Sequence, residues 1–213
     1  MSGFKICGLT QPADVEASVA AGATHVGFVF FERSPRHLSV ERAASLAAGV
    51  PSGIVRVGLT VDATDDALDA ILGAVPIDLL QLHGHETPER AAALRRRIPV
   101  MKAVGVREAA DLDSARAYEG AADLLLLDAK PPAGGLPGGN GSAFDWGLLA
   151  GRTWGVPWML AGGLDPGNVA DAMAVSGAPF ADVSSGVERA PGAKDPALIA
   201  AFGAALREPA ALR

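Results

Sequence analysis

The strongest constraint in this sequence is a regular alternation between short apolar segments and segments in which apolar residues recur at helical spacing. The apolar segments are too short for exposed helices and are typical of strands buried on both faces. They occupy residues 4–7, 24–30, 54–61, 78–83, 100–106, 122–128, 158–162 and 180–185. Helical patterns follow them at residues 12–22, 40–48, 65–75, 88–97, 107–118, 146–151, 166–176 and 196–206, the sixth being short.

Eight strand–helix units predict a parallel sheet that closes into a barrel. We therefore predict an α/β fold, a single (β/α)8 TIM barrel with a parallel eight-stranded core, with residues 1–213 as one domain. An open, doubly wound sheet is the alternative, although no Gly-x-Gly-x-x-Gly follows the first strand. A run rich in glycine and proline at 131–142 lies on the face of the barrel where active sites are found. We expect it to be a lid or ligand loop rather than a linker.

Charge and cysteine content exclude several classes of partner. A net charge of −6 argues against a nucleic-acid surface, whereas small anionic ligands respond to local amides and cations and stay possible. One cysteine forms no internal disulfide and offers no thiolate cluster for zinc. The N-terminus lacks the apolar region of a signal peptide, and no run approaches the roughly 20 apolar residues that span a bilayer. We expect a cytoplasmic protein that binds neither membranes nor nucleic acid.

The single cysteine, Cys7, ends the first predicted strand. Alternation along a strand places Lys5 and Cys7 on one face and Phe4 and Ile6 on the other. A thiol and an ammonium on the same face are an unusual choice for a strand that only fills a core. A buried, inert thiol is nevertheless the simpler interpretation of the cysteine alone, because thiol reactivity needs a specific microenvironment.

Asp128 ends the sixth predicted strand, after four consecutive leucines at 124–127. The C-terminal ends of barrel strands converge on one pocket, so Asp128 and Cys7 are expected to face each other. A carboxyl group in apolar surroundings tends to keep its proton, which is what a general acid requires. Capping of a loop, or an ion pair with Lys130, is the structural alternative.

The seventh and eighth strands end in small residues that suit an anion. These are Gly162, Gly163, Ser184, Ser185 and Gly186. Loops after these two strands form the usual phosphate site of this architecture, often with a short extra helix, for which residues 187–194 leave room. Gly141, in the sequence Gly-Asn-Gly-Ser at 139–142, lies in a loop that can close over the same anion. Ordinary turn chemistry is the alternative.

Two further side chains are candidates for a ligand pocket. Arg36 follows Ser-Pro at 34–35, and its guanidinium can form a two-pronged contact with a carboxylate, although a solvated surface arginine is the more common outcome. His83 and His85 flank Gly84 near the end of the fourth strand. A metal site would need further ligands on converging strands, so we predict no metal and read His83 as a pocket or packing residue.

In this order the motifs resemble the phosphoribosylanthranilate isomerase family, and they cover nearly the whole chain. The matching pieces are Lys-Ile-Cys-Gly at 5–8, Gly-Phe-Val-Phe at 27–30, Ser-Pro-Arg at 34–36, Gln-Leu-His-Gly at 81–84, Leu-Leu-Asp at 126–128, Gly-Asn-Gly at 139–141, Phe-Asp-Trp at 144–146, Leu-Ala-Gly-Gly-Leu at 160–164 and Asp-Val-Ser-Ser-Gly-Val-Glu at 182–188. Each piece is modest alone, and the series together is specific.

The resemblance implies an Amadori rearrangement in tryptophan biosynthesis, from N-(5-phosphoribosyl)anthranilate to 1-(2-carboxyphenylamino)-1-deoxyribulose 5-phosphate, with no metal or organic cofactor. It implies that Asp128 is the general acid that opens the ribose ring and that Cys7 is the general base that takes the proton from C2. It also implies that Arg36 holds the anthranilate carboxylate. The phosphate is then held by Gly162, Gly163, Ser184, Ser185 and Gly186.

Several alternatives stay open at the level of sequence. Lys5 could favour the thiolate form of Cys7, or it could be neutralised by Asp182 on the eighth strand. The barrel could bind a phosphosugar without catalysis, or it could act on the related aminoaldose of histidine biosynthesis. The histidine-pathway isomerase should have an aspartate at the end of its first strand, whereas the first strand of this chain ends in Cys7. The chain could be a monomer or a homodimer.

Overall fold

The strands of the protein form a closed barrel. The structure is a computed structural model that describes residues 3–130, 141 and 143–207. Within these ranges eight parallel strands follow one another around the barrel, and β1 pairs with β8 to close it. The strands are β1 (Gly3–Cys7), β2 (His25–Val29), β3 (Val55–Thr60), β4 (Leu79–Leu82), β5 (Val100–Val106), β6 (Leu124–Ala129), β7 (Trp158–Leu160) and β8 (Phe180–Val183). The predicted TIM barrel is confirmed.

Helices connect most successive strands. They are α1 (Pro12–Ala20), α2 (Val40–Ala48), α3 (Asp65–Ala74), α4 (Pro88–Arg95), α5 (Ala109–Arg116), α6 (Val169–Ser176) and α7 (Pro196–Arg207). The short helix predicted after β6 is a single 3-10 turn, Trp146–Leu149. The run at 131–142, predicted to be a lid or ligand loop, lies outside the described residues apart from Gly141. In the described ranges, no helix combines the length and apolar character needed to cross a bilayer.

Local capping signals decide where helices begin. The α2 helix begins at Val40, as predicted, because the Ser39 side chain accepts a hydrogen bond from the backbone N–H of Arg42. The α6 helix begins at Val169, three residues later than its pattern suggests. The Asp165 carboxylate accepts hydrogen bonds from the N–H groups of Gly167 and Asn168, so the residues before α6 form a turn.

The segment 187–194, which left room for a short extra helix, forms a hairpin after Val187. Strands β9 (Glu188–Ala190) and β10 (Ala193–Lys194) pair antiparallel. Gly192 has a φ of 79°, a left-handed conformation that glycine adopts without strain, and Pro191 before it favours a turn over a helix. A 3-10 turn, Ser185–Val187, lies directly before the hairpin, at the end of β8.

The two faces of β1 behave as its alternation predicts. Phe4 packs on Phe202 of α7 with ring centroids 5.7 Å apart, in the layer between the sheet and the helices. Lys5 and Cys7 lie on the other face, inside the barrel. Farther around the barrel, the interior is filled by Val57, Leu79, Met101, Leu126 and Met159. The layer outside β1 is therefore apolar, whereas the interior of the barrel has mixed chemistry.

Candidate active site

A single pocket at the C-terminal ends of the strands brings together nearly all the predicted site residues. Cys7 is the last residue of β1, and Asp128 lies at the end of β6. Both side chains line the pocket. Of the remaining candidates, the pocket is also lined by Arg36, His83, Gly141, Gly162, Gly163, Ser184 and Ser185. Residues as far apart along the chain as Cys7 and Ser185 thus share one cavity.

Cys7 is buried beside an ion pair inside the barrel. Lys5 Nζ donates to Asp182 Oδ1 at 2.8 Å, because β1 and β8 pair with Lys5 opposite Asp182. Burial acts to lower the pKa of Lys5, but Asp182 and Cys7 together outweigh it and raise the pKa, so the ammonium stays charged. Burial raises the pKa of the Cys7 thiol, and the positive charges of Lys5 and Lys194 oppose that rise. Lys5 is therefore paired with Asp182 and still lies within electrostatic reach of the thiol.

Asp128 accepts one hydrogen bond and has an imidazole close by. Its Oδ1 accepts from the backbone N–H of Ala129 at 2.8 Å, and its Oδ2 lies 3.3 Å from Nε2 of His83. The ion pair with Lys130 that the sequence left open does not form, since Lys130 pairs with Asp111 at 2.8 Å. The carboxyl group consequently faces the pocket, with an imidazole as its side-chain neighbour.

His83 is in turn oriented by Gln81. Both side chains point from β4 and the loop that follows it, and Nε2 of Gln81 lies 3.0 Å from Nδ1 of His83. The amide of Gln81 therefore holds the imidazole ring with its Nε2 edge toward Asp128. Gln81 is fully buried, and its Oε1 has no partner in the described part of the chain. His83 thus lies beside the carboxyl group, in an orientation that a buried neighbour helps to set.

Arg36 lines the pocket, but part of its guanidinium is already engaged. Its Nε and Nη2 both donate to the carboxylate of Glu188, each at 2.8 Å. The side chain is consequently buried and fixed in orientation rather than solvated at the surface. Only Nη1 has no partner among the described residues and stays available to a ligand.

The small residues after β7 and β8 divide into two groups. Gly162, Gly163, Ser184 and Ser185 line the pocket, whereas Gly186 does not. Gly186 lies in the turn Ser185–Val187, where any side chain would collide with the carbonyl oxygen of Leu164. Gly186 therefore allows the loop after β8 to pack closely against the loop after β7.

The serine hydroxyls differ in what they can offer an anion. The hydroxyl of Ser184 donates to the carbonyl of Cys7 at 3.1 Å and accepts from Lys194 at 3.3 Å. Its one hydrogen is therefore committed within the protein. A phosphate in the pocket would meet the hydroxyl of Ser185 and backbone N–H groups of these loops.

Comparison with known proteins shows which family this chain belongs to. A family model described as N-(5'-phosphoribosyl)anthranilate (PRA) isomerase matches residues 4–205. The chain belongs to this family. The N-(5'-phosphoribosyl)anthranilate isomerase of Rhodospirillum centenum is 61% identical over 202 residues, covering 93% of this chain and 94% of the relative. That of Cereibacter sphaeroides is 58% identical over 201 residues, covering 93% and 95%.

Solved isomerases of the family share the fold. The phosphoribosylanthranilate isomerase of Thermotoga maritima is 38% identical, with a TM-score of 0.86 and coverage of 95% of this chain and 97% of that one. An isomerase solved with reduced 1-(o-carboxyphenylamino)-1-deoxyribulose 5-phosphate is 36% identical, with a TM-score of 0.83 and the same coverage. The predictions of an isomerase enzyme and of this family are confirmed.

Two buried residues of this isomerase were not singled out from its sequence. Lys194 donates to Glu188 Oε1 at 2.8 Å and to the Ser184 carbonyl at 3.0 Å, and it is almost fully buried. Burial lowers the pKa of Lys194 although the Glu188 carboxylate opposes it. Burial acts to raise the pKa of Glu188, but Arg36 and Lys194 outweigh it and the pKa is lowered. The turn at Pro191-Gly192 was the one local signal that could have brought residues 188 and 194 together.

Within the described ranges, no three His, Cys, Asp or Glu side chains are grouped as a metal site would require. His85, the neighbour of His83, is exposed and lies outside the lining of the pocket.

Proposed function

We propose that this isomerase converts N-(5'-phosphoribosyl)anthranilate to 1-(2-carboxyphenylamino)-1-deoxyribulose 5-phosphate, with Asp128 as general acid and Cys7 as general base. One observation carries the assignment of roles. In a chain of this family, a carboxyl group and a thiol face the same pocket from β6 and β1 and lie in contrasting surroundings. Acid and base chemistry can share one turnover when the two environments differ in this way.

The reaction moves protons and electrons only within the substrate and these two groups. Asp128 protonates the ring oxygen of ribose as the bond from C1 to that oxygen breaks, and the nitrogen lone pair forms a C1=N double bond. Cys7, as thiolate, then removes the proton from C2. The C2–H electrons form a C1=C2 double bond, which neutralises the nitrogen and gives an enolamine. Tautomerisation of the enolamine, with a proton added at C1 and lost from the C2 hydroxyl, gives the ketone.

The other pocket residues bind and orient in this scheme. The free Nη1 of Arg36 takes the anthranilate carboxylate, in a charge-assisted hydrogen bond. His83 lies 3.3 Å from Asp128 and keeps the carboxyl group directed toward the sugar. The phosphate is held by backbone and hydroxyl donors of the loops containing Gly141, Gly162, Gly163, Ser184, Ser185 and Gly186, with Gly186 acting through the turn in which it lies. The scheme transfers protons only, so it calls for no cofactor.

The decisive experiment follows consumption of N-(5'-phosphoribosyl)anthranilate by the purified protein. Replacing Cys7→Ala or Asp128→Asn should lower kcat by about 10²- to 10⁴-fold, the usual contribution of a general acid or base. Inorganic phosphate should bind both variants as it binds the unsubstituted protein. A fully active Cys7→Ala variant would remove the thiol from the mechanism. Turnover of only the histidine-pathway aminoaldose, or binding without turnover, would favour one of the two alternative functions.

Quaternary structure and location stay predictions for this chain. One solved form of the Thermotoga maritima protein consists of monomers generated from a dimeric isomerase. Monomer and homodimer are both expected possibilities here, and sedimentation of the purified protein separates them. The cytoplasmic location, and the absence of nucleic-acid and membrane partners, likewise follow from sequence alone.

A further inference from the structure

Lys194 is a buried cation that lies behind the pocket and does not line it. Its ammonium contacts Glu188, and Glu188 is the residue that grips Arg36 with both carboxylate oxygens. The exposed fraction is 0% for the Lys194 side chain and 4% for that of Glu188. Water therefore does little to screen the charges of these residues from one another.

The charges in this cluster do not cancel. Arg36 and Glu188 alone would form a neutral pair, and a neutral pair attracts an anion weakly. Lys194 adds a second cation on the same carboxylate, so the three residues together have one net positive charge. Of the three residues, only Arg36 lines the pocket, so a ligand would interact with this charge through the free Nη1 of Arg36.

We infer that Lys194 is a positioning residue that neutralises Glu188 and so leaves Arg36 a net positive charge for the carboxylate of the substrate. This inference rests on the proposed function. Glu188 fixes the orientation of the Arg36 guanidinium, but its negative charge cancels that of Arg36. Lys194 neutralises Glu188, so Arg36 stays oriented and the cluster keeps a net positive charge. The hairpin β9–β10 supplies both residues, which gives this segment a role in substrate selection.

A purely structural role for Lys194 is the competing explanation, because its ammonium also donates to the carbonyl and hydroxyl of Ser184. Charge and structure can be separated by substitutions that keep polar side chains in place. Lys194→Gln removes the cation, so that Arg36 and Glu188 cancel. Glu188→Gln in addition restores one net positive charge without restoring the ammonium.

The measurement is equilibrium binding, which does not depend on Cys7 or Asp128 chemistry. One probe is reduced 1-(o-carboxyphenylamino)-1-deoxyribulose 5-phosphate, and the other is the same compound with a phenyl ring lacking the carboxylate. Lys194→Gln should weaken binding of the carboxylate-bearing probe about tenfold or more, as expected for one charge removed from a poorly screened site. Binding of the phenyl probe should change by less than about twofold, and the double variant should recover most of the loss.

Two outcomes would overturn the inference: equal weakening of both probes by Lys194→Gln, or a double variant as impaired as the single one. Thermal unfolding of each variant reports whether it folds. Should Lys194→Gln fail to fold, the Glu188→Gln variant is compared with the double variant, and the former must bind the carboxylate probe about tenfold more tightly. Turnover of N-(5'-phosphoribosyl)anthranilate by the unsubstituted protein is measured in parallel, so that failure of the proposed function is seen separately.

Discussion

The interior of the barrel has two halves of opposite chemistry. On β1, β2 and β8 the inward side chains include Lys5, Cys7, His25 and Asp182. On β3 to β7 the inward layer is largely apolar, with Val57, Leu79, Met101, Leu126 and Met159. Cys7, the proposed base, lies in the charged half. Asp128, the proposed acid, lies at the C-terminal end of β6 in the apolar half.

This difference matches what each group must do. A thiol becomes a base only as thiolate, which nearby ammonium groups stabilise, and Lys5 and Lys194 both act on Cys7 in this sense. A cation beside a carboxyl group stabilises the carboxylate and makes proton donation harder. The contacts of Asp128 within the described residues are His83 and a backbone N–H, and they include no lysine or arginine. The two halves thus separate the acid from the cations that serve the base.

The largest expected effect comes from breaking the ion pair of the charged half. Lys5→Met leaves the Asp182 carboxylate buried without a partner, and we expect the free energy of unfolding to fall by about 3–5 kcal/mol. Urea denaturation measures this change. Turnover of the folded fraction should fall as well, because Cys7 loses a supporting cation. Combining Lys5→Met with Asp182→Leu should restore most of the stability and none of the turnover; no recovery of stability would contradict the buried-charge explanation.

In the apolar half, substitutions should affect stability alone. Met159→Ala removes a fully buried side chain and leaves a cavity, so we expect a loss of about 2–5 kcal/mol in unfolding free energy. Stability is measured by urea denaturation and kcat on the folded protein. Retention of kcat would distinguish this half from the charged half. A large loss of kcat with an intact fold would show that the division between the halves is wrong.

The charged half should also make stability depend on pH through His25. Burial, together with the charge of Lys5, lowers the pKa of His25 to about 4. The unfolded chain binds a proton near its ordinary value of about 6.5, so stability is complete above that pH and falls as the pH drops toward about 4. The expected loss is about 1–3 kcal/mol across that window. Denaturation midpoints of His25→Gln against pH provide the test, and an unchanged slope in the variant would exclude His25 as the source.

The smallest expected effect concerns the link between His83 and the acid. His83→Leu removes the imidazole that lies 3.3 Å from the Asp128 carboxyl group, and we expect kcat to fall about tenfold with little change in KM, an effect of about 1.4 kcal/mol on the barrier. Steady-state kinetics measure both parameters. His85→Ala, in the same loop but exposed, is the matched control and should behave as the unsubstituted protein. Equal effects of the two substitutions would argue against a specific role for His83.

Features that depend on local pattern could be predicted from the sequence. The eight strand–helix units and the shared face of Lys5 and Cys7 follow from periodicity, and the strand Val100–Val106 has the predicted bounds. The sequence left room for a short helix at 187–194, and the structure has a 3-10 turn that ends at Val187 followed by a hairpin, because the turn at Pro191-Gly192 permits one; the local pattern did not distinguish the two.

Features that depend on register between distant segments could not be predicted in the same way. Arg36 and Glu188 are 152 positions apart, and no local sequence pattern predicts that they form an ion pair. The sequence likewise left two interpretations of Lys5, since the choice depends on the alignment of β1 with β8. His83 was placed in the pocket correctly, but its contact with Asp128 depends on how β4 and β6 face each other across the barrel.

The pairing of β1 with β8 also bears on how the protein is made. Lys5 emerges from the ribosome 177 positions ahead of Asp182. Until the eighth strand is synthesised, the ammonium of Lys5 has no carboxylate to meet, and burying it alone would be costly. A nascent chain therefore gains little by enclosing its first strand early. Closure of the barrel, and with it completion of the surroundings of the Cys7 thiol, therefore waits until β8 has been synthesised.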